Sequence, residues 1–185
     1  MIQFSGKKVY LRKLEQEDIS SILSWLGQNG SNLDLFPGLK PEITQILQRD
    51  EEKEHIFAIE NSSNLLIGCI FTYFCDRKNG TFSYYVYINS SHRCQGAAKE
   101  GITILLRYYF QELRFQKVTV PIFVFNKSAT LLHDTLGFKR EGRLRRMIYS
   151  HGQFFDLLTY GITAEEFDTM SIHLEENYEK VMTDS

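Results

Sequence analysis

Three β-forming runs follow one another in HIFAIEN, LLIGCIFTYFCD and GTFSYYVYI. Only the short polar connections NSSN and RKNG separate them. Connections this short join neighbouring antiparallel strands, because a parallel return needs a crossover of a dozen residues or more. This stretch therefore commits the chain to a sheet built from consecutive hairpins.

The flanks add helices. KKVYLRKL alternates and predicts a first strand, and EDISSILSWL carries a helical stripe of Ile19, Ile22, Leu23 and Leu26. GQNGSNLDLFPGLKP reads as a loop and EITQILQRDEEK as a second short helix. Beyond the three strands, the stretch to Leu113 has a stripe of Ile102, Leu105, Leu106, Tyr109 and Leu113. KVTVPIFVF predicts a central strand buried on both faces, in which Pro121 marks an interruption of ladder pairing. NKSATLLHDTLGF predicts a helix capped by Asn126 and stopped by Gly137. RLRRMIYSHGQFFDLLTYGI predicts two strands around SHGQ, and ITAEEFDTM a last helix.

These elements predict one α/β (α+β) domain over residues 1–170, with a mixed, mostly antiparallel sheet flanked by helices. Residues 171–185 read as a polar tail. The 185 residues suffice for one core, and the net charge of −2 argues against nucleic acid or an anionic membrane as partner. No apolar run is long enough to cross a bilayer, and MIQFSGKK has no secretory core, so the expected location is the cytoplasm. The three cysteines match no zinc spacing, and no metal is expected.

The stretch HRCQGAAKEG lies between a strand and a helix. Small residues there let an anion approach the free N–H groups of a helix start, and an arginine adds a charged donor. The pattern is neither of the common glycine-rich nucleotide fingerprints.

Downstream, FVFN ends a strand at Asn126 and TLGFKREGRLR closes the next helix. Together with Arg93, Gly96 and Ala98, this resembles the GNAT superfamily of N-acetyltransferases. KKVYLRKLEQEDISSILSWL and GFKREGRLRRMIYSHGQFFDLLTYGI resemble the opening and closing of the branch that acetylates ribosomal-protein N-termini. The resemblance implies acetyl-CoA as co-substrate. Its pyrophosphate is expected on Arg93, Cys94, Gln95, Gly96, Ala97 and Ala98. Its arm is expected between splayed strands, Tyr84 to Ile88 and Val120 to Asn126, pairing with main chain near Tyr87 and Ile88 and touching Asn126. The implied reaction moves acetyl to a primary amine by direct attack. The alternative is a noncatalytic acyl-CoA sensor of the same fold. A monomer or a homodimer is expected.

Two departures stand out. Seven residues after Asn126, where many members carry Tyr as general acid, this chain has His133, and Ala129 replaces a frequent Ser. Asn126, Ala129 and His133 share one helix face, so His133 is the expected acid. At the place of a frequent Glu base stands Ser83. Tyr84, Tyr85, Tyr149, His151 and Asp156 are conceivable bases, Asp156 being expected instead to orient the last hairpin. Acceptor choice is expected to rest on Trp25 to Glu54 and that hairpin.

Overall fold

The structure, a computed structural model, describes residues 3–26, 56–150 and 152–170. The expected loop over 27–41, the helix over 42–53, His151 and the tail over 171–185 lie outside the described residues.

The chain runs β1 (Gln3–Ser5), β2 (Val9–Lys13), α1 (Asp18–Leu26), β3 (Ile56–Asn61), β4 (Leu66–Asp76) and β5 (Thr81–Ile88). It continues through α2 (Ala97–Arg107), β6 (Lys117–Phe123), α3 (Lys127–Thr135), β7 (Lys139–Ser150) and β8 (Gln153–Thr163). A last helix, α4, covers 164–170. The strands form one sheet in the order β1-β2-β3-β4-β5-β6-β8-β7. Every neighbouring pair is antiparallel except β5 and β6. The expected fold class holds. The short strand β1 is additional; its three residues give no period that could announce it.

Alternation decides which helix covers which face. Along β4 and β5, Cys69 and Tyr87 turn to α1 and pack with its Ile22, while Ile70, Phe82 and Tyr84 belong to the larger core on the other face. That core is closed by α2. Of its predicted stripe, Ile102, Leu105, Leu106 and Tyr109 are wholly buried, each contributing about 1.5–3 kcal/mol, while Leu113 is half-buried. Gly101 lets α2 settle on the sheet, since a Cβ there would already touch Ile70 and Ile59 at 3.4 and 3.6 Å. The Tyr109 hydroxyl is satisfied by Thr72, Oη to Oγ1 at 2.6 Å. The helix closes in a π turn at Tyr108–Glu112.

On the α1 side, Arg12 donates to Asp18 at 2.6 and 3.0 Å and to Glu60 at 2.8 Å. This ties the start of α1 to β2 and β3. Helix α3 begins at Asn126, whose Oδ1 accepts the Ala129 N–H at 3.1 Å. It ends at Gly137 with φ +76°, where the Phe138 N–H reaches back to the His133 carbonyl. No helix among the described residues is long and apolar enough to cross a membrane.

Candidate active site

Strands β5 and β6 pair at only two positions, Thr81 with Lys117 and Phe82 with Val118. Beyond them the strands part, and a cleft opens between Tyr84–Val86 on one side and Val120–Phe123 on the other. Asn126, Ala129 and His133 of the α3 segment close one wall. These residues fall inside the splay expected from the sequence.

The register shows which main-chain groups face this gap. The Asn89 N–H bonds the Ile67 carbonyl, so alternate residues of β5 (Ser83, Tyr85, Tyr87) spend their main-chain groups on β4. Tyr84, Val86 and Ile88 turn theirs the other way. Of the two residues expected to pair with the donor's arm, Ile88 turns its main chain away from β4, with its carbonyl accepting from Arg93 Nε, and Tyr87 turns its own toward β4; Val86 also turns away from β4 and lines the cleft. On the opposite strand, the Val124 N–H bonds Asp156 of β8. By the same alternation Thr119, Pro121 and Phe123 turn toward β5. Pro121 has no N–H to offer at that edge, so the interruption foreseen at Pro121 falls on the cleft edge while its pairing with Thr159 of β8 persists.

Past the cleft, β5 ends at Ile88 and the chain continues into the turn at residues 93–98. Arg93 Nε donates to the Ile88 carbonyl at 3.0 Å, and its guanidinium lies 5.6 Å from the Tyr87 ring centre. Cys94 and Gly96 both adopt positive φ, +62° and +85°. Gly96 is the N-cap of α2 and offers no side-chain acceptor. The first N–H groups of the helix, at Ala97 and Ala98, thus have neither an intrahelical nor a cap partner, at the positive end of the helix dipole. Cys94, Gln95 and Gly96 are exposed, while Ala97 is buried against the core.

Sequence reasoning missed Lys8. Its Nζ lies 3.6 Å from where a Cβ on Gly96 would stand. The β1–β2 turn is brought there by Glu100 in the first turn of α2, whose carboxylate accepts the main-chain N–H groups of Lys7 and Lys8. KK at the head of a strand gave no sign of this, because the contact depends on a carboxylate more than ninety residues away.

His133 lines the cleft itself and is 5% exposed. Its Nδ1 is 2.7 Å from the Ala129 carbonyl oxygen, and its Nε2 is 2.8 Å from the Tyr84 hydroxyl. A carbonyl only accepts, so Nδ1 carries a proton. Burial pushes the imidazole pKa below its ordinary value, against the opposing effects of the Ala129 bond and the Asp134 charge. The ring is then neutral near pH 7, Nε2 has a lone pair, and the Tyr84 hydroxyl donates to it. Burial, reinforced by Tyr73 nearby, raises the Tyr84 pKa well above that of a free phenol. Both ring nitrogens of His133 are engaged, and neither is directed freely at the cleft.

Of the remaining described candidate bases, Tyr85 belongs to the cleft wall, while Asp156 and Tyr149 do not. Asp156 accepts from Arg143 and from the Arg146 N–H, which fixes the β7–β8 hairpin as expected. Tyr149 is exposed and packs on Phe154, and the Tyr85 ring lies 5.2 Å from Phe71. Residues 27–54, expected to shape the acceptor side, lie outside the described residues.

Comparison with known proteins agrees with this geometry. The family described as "Acetyltransferase (GNAT) domain" matches residues 11–159. The chain belongs to the GNAT acetyltransferase family. This GNAT domain is 37% identical over 168 residues to the SPbeta prophage-derived N-acetyltransferase YokL of Bacillus subtilis, covering 89% of the chain and 95% of that relative. It is 25% identical over 103 residues to the putative ribosomal N-acetyltransferase YdaF of Bacillus subtilis, 56% of each chain. Among solved structures, the spermidine N-acetyltransferase of Vibrio cholerae in complex with CoA and spermine superposes with a TM-score of 0.78 at 21% identity. That match covers 88% of this chain and 99% of the other, and shows the shared fold. The GNAT domain is thus an acyltransferase, and an N-acetyltransferase by family.

Proposed function

We propose that this protein transfers the acetyl group of acetyl-CoA to a primary amine by direct attack. The observation that carries this is the cleft between β5 and β6, lined by Tyr84 and His133, on a strand that ends at Ile88 just ahead of the turn at Arg93–Ala98. The turn supplies main-chain N–H groups, a helix dipole and the cations Arg93 and Lys8, the chemistry a pyrophosphate needs. Val86 and Ile88 offer main-chain groups to the amides of the donor's arm, in the manner of an added strand. Asn126 contacts the same arm while capping α3. His133 serves proton transfer at the thioester end. Holding both substrates together needs no covalent enzyme intermediate.

The acceptor is a small-molecule polyamine or a protein N-terminus; the solved relative with spermine supports the first and the ribosomal relative the second. The protein acts in the cytoplasm, as a monomer or homodimer, through the domain at residues 1–170, with 171–185 as its tail. Calorimetry with acetyl-CoA, and thiol release with spermidine, spermine and peptides bearing free Ala or Ser N-termini, test this reading. Acetyl-CoA-dependent thiol release with one of these amines is expected. Tight binding without thiol release for any of them would favour the noncatalytic sensor.

A further inference from the structure

The sequence leaves a gap in the chemistry. A neutral amine that attacks a thioester carries a surplus proton, and the departing sulfur needs one. The frequent carboxylate base is replaced by Ser83, and the frequent tyrosine acid by His133. The fold puts a tyrosine back from the other side of the cleft. Tyr84 comes from β5, its hydroxyl 2.8 Å from His133 Nε2, with the two rings stacked at 5.9 Å and 19°.

We propose that Tyr84 and His133 form one proton relay that serves as both base and acid, with Tyr84 the catalytic residue facing the reacting atoms and His133 the positioning residue behind it. The proposal rests on acetyl transfer being the reaction.

The fixed tautomer of His133 makes the relay directional. Its Nδ1 proton is held by the Ala129 carbonyl, so Nε2 accepts the Tyr84 proton. The Tyr84 oxygen keeps a lone pair for a second partner in the cleft. As the amine nitrogen bonds to the thioester carbon, the carbonyl π electrons move to oxygen. Tyr84 then takes the ammonium proton and passes its own to His133 Nε2, leaving an imidazolium. When the C–S bond breaks, its electron pair goes to sulfur. Tyr84 gives that sulfur a proton and recovers one from Nε2. The products are an amide and a free thiol, and the relay returns to its starting state with no proton gained or lost.

The surroundings suit a transient imidazolium. Asp134 lies beside His133 on α3, and its charge favours the protonated ring. Tyr160 of β8 faces His133 at 6.4 Å between ring centres, and Phe138 at the start of β7 packs edge-on at 4.9 Å. From β4, Tyr73 acts on Tyr84 only by adding to the rise of its pKa.

The test uses the full chain, whichever amine of the panel supports thiol release, and Tyr84→Phe, which removes one oxygen and keeps the ring. His133→Gln and the double variant complete the cycle. Tyr84→Phe is expected to bind acetyl-CoA by calorimetry as the wild type does, and to lose kcat by roughly 10²–10⁴-fold. The double variant is expected to be no slower than the worse single one, because the two residues act as a unit. The wild-type acid limb of kcat, set by His133 below pH about 6.5, is expected to vanish in Tyr84→Phe. Nitrogen-15 shifts of His133 are expected to show protonated Nδ1 and bare Nε2, a readout that needs no turnover. Full turnover by Tyr84→Phe, multiplying losses in the double variant, or an Nε2–H tautomer overturns the relay while leaving acetyl transfer intact. A wild type that binds acetyl-CoA but acetylates no amine of the panel overturns the transferase reading, and the relay with it.

Discussion

Glu100 holds Lys8 against the start of its own helix: its carboxylate accepts the Lys8 main-chain N–H at 3.0 and 3.1 Å, while the Lys8 ammonium stands beside Gly96. The carboxylate thus spends itself on main chain and leaves the ammonium facing the turn. An exposed charge pair of this kind contributes about 1 kcal/mol or less. Lys8→Ala is therefore expected to weaken acetyl-CoA binding by up to about fivefold, and the deficit is expected to shrink as salt is added. Calorimetry at low and high ionic strength checks both. A wild-type affinity for Lys8→Ala at low salt would place the ammonium outside the phosphate site.

Gly96 poses a sharper demand. Its φ of +85° is the left-handed region, where a side chain costs about 1–2 kcal/mol. A Cβ there has room, the nearest atom being Lys8 Nζ at 3.6 Å. Gly96→Ala is therefore expected to lower the melting temperature but retain measurable acetyl-CoA binding. Gly96→Asp adds a negative charge where the pyrophosphate must sit and is expected to abolish binding while melting close to the Ala variant. Equal affinity of the two variants would show that charge at this turn is irrelevant.

The fold was legible because each of its main devices is local. Hairpin connections, the α2 stripe and the Asn126 and Gly137 caps are all set by neighbours in sequence. The splay was legible only through resemblance, although Pro121 carried a physical trace of it: a missing N–H tolerable at an edge that no strand pairs. Tyr84 shows what stays hidden. Periodicity puts it on the inner face with Phe82, but only the β4–β5 register and the approach of α3 aim its hydroxyl at His133. His133 itself was placed on the right helix face from spacing. Its loss of a free ring nitrogen arises from a tertiary contact that spacing does not encode.

The proposed reading gives Asn126 two tasks that substitution can separate. Its Oδ1 caps α3 by accepting the Ala129 N–H, and its amide N–H₂ is the part available to the donor's arm. Asn126→Asp keeps an acceptor at the cap and is expected to hold the melting temperature while weakening acetyl-CoA binding. Asn126→Ala is expected to lose about 1 kcal/mol of stability as well. Thermal melts beside calorimetry decide; Asp binding as tightly as Asn would reduce Asn126 to a cap.

The buried imidazole also predicts how stability depends on pH. His133 has a folded pKa below its unfolded value of about 6.5, chiefly through burial. The unfolded chain therefore binds a proton at a higher pH than the folded one does. Stability rises with pH wherever the unfolded state holds more protons. The contribution of a neutral His133 is fully present above about pH 6.5, and is lost as the pH falls from there through the lower folded value. Asp18 has a depressed folded pKa: burial, the largest single effect, raises it, but the Arg12 hydrogen bond, the Glu15 N–H and the Arg12 charge together outweigh burial. Its loss therefore comes later, below the ordinary carboxylate range near 4. Subtracting the melting curve of His133→Gln, which cannot titrate, from that of the wild type isolates the first step. The difference is expected to be constant from about pH 8 to pH 7 and to move against the wild type between about pH 6.5 and pH 5. A difference that stays flat throughout would mean that His133 titrates alike in both states, and that the neutral acceptor of the Tyr84 proton is not what the fold stabilises.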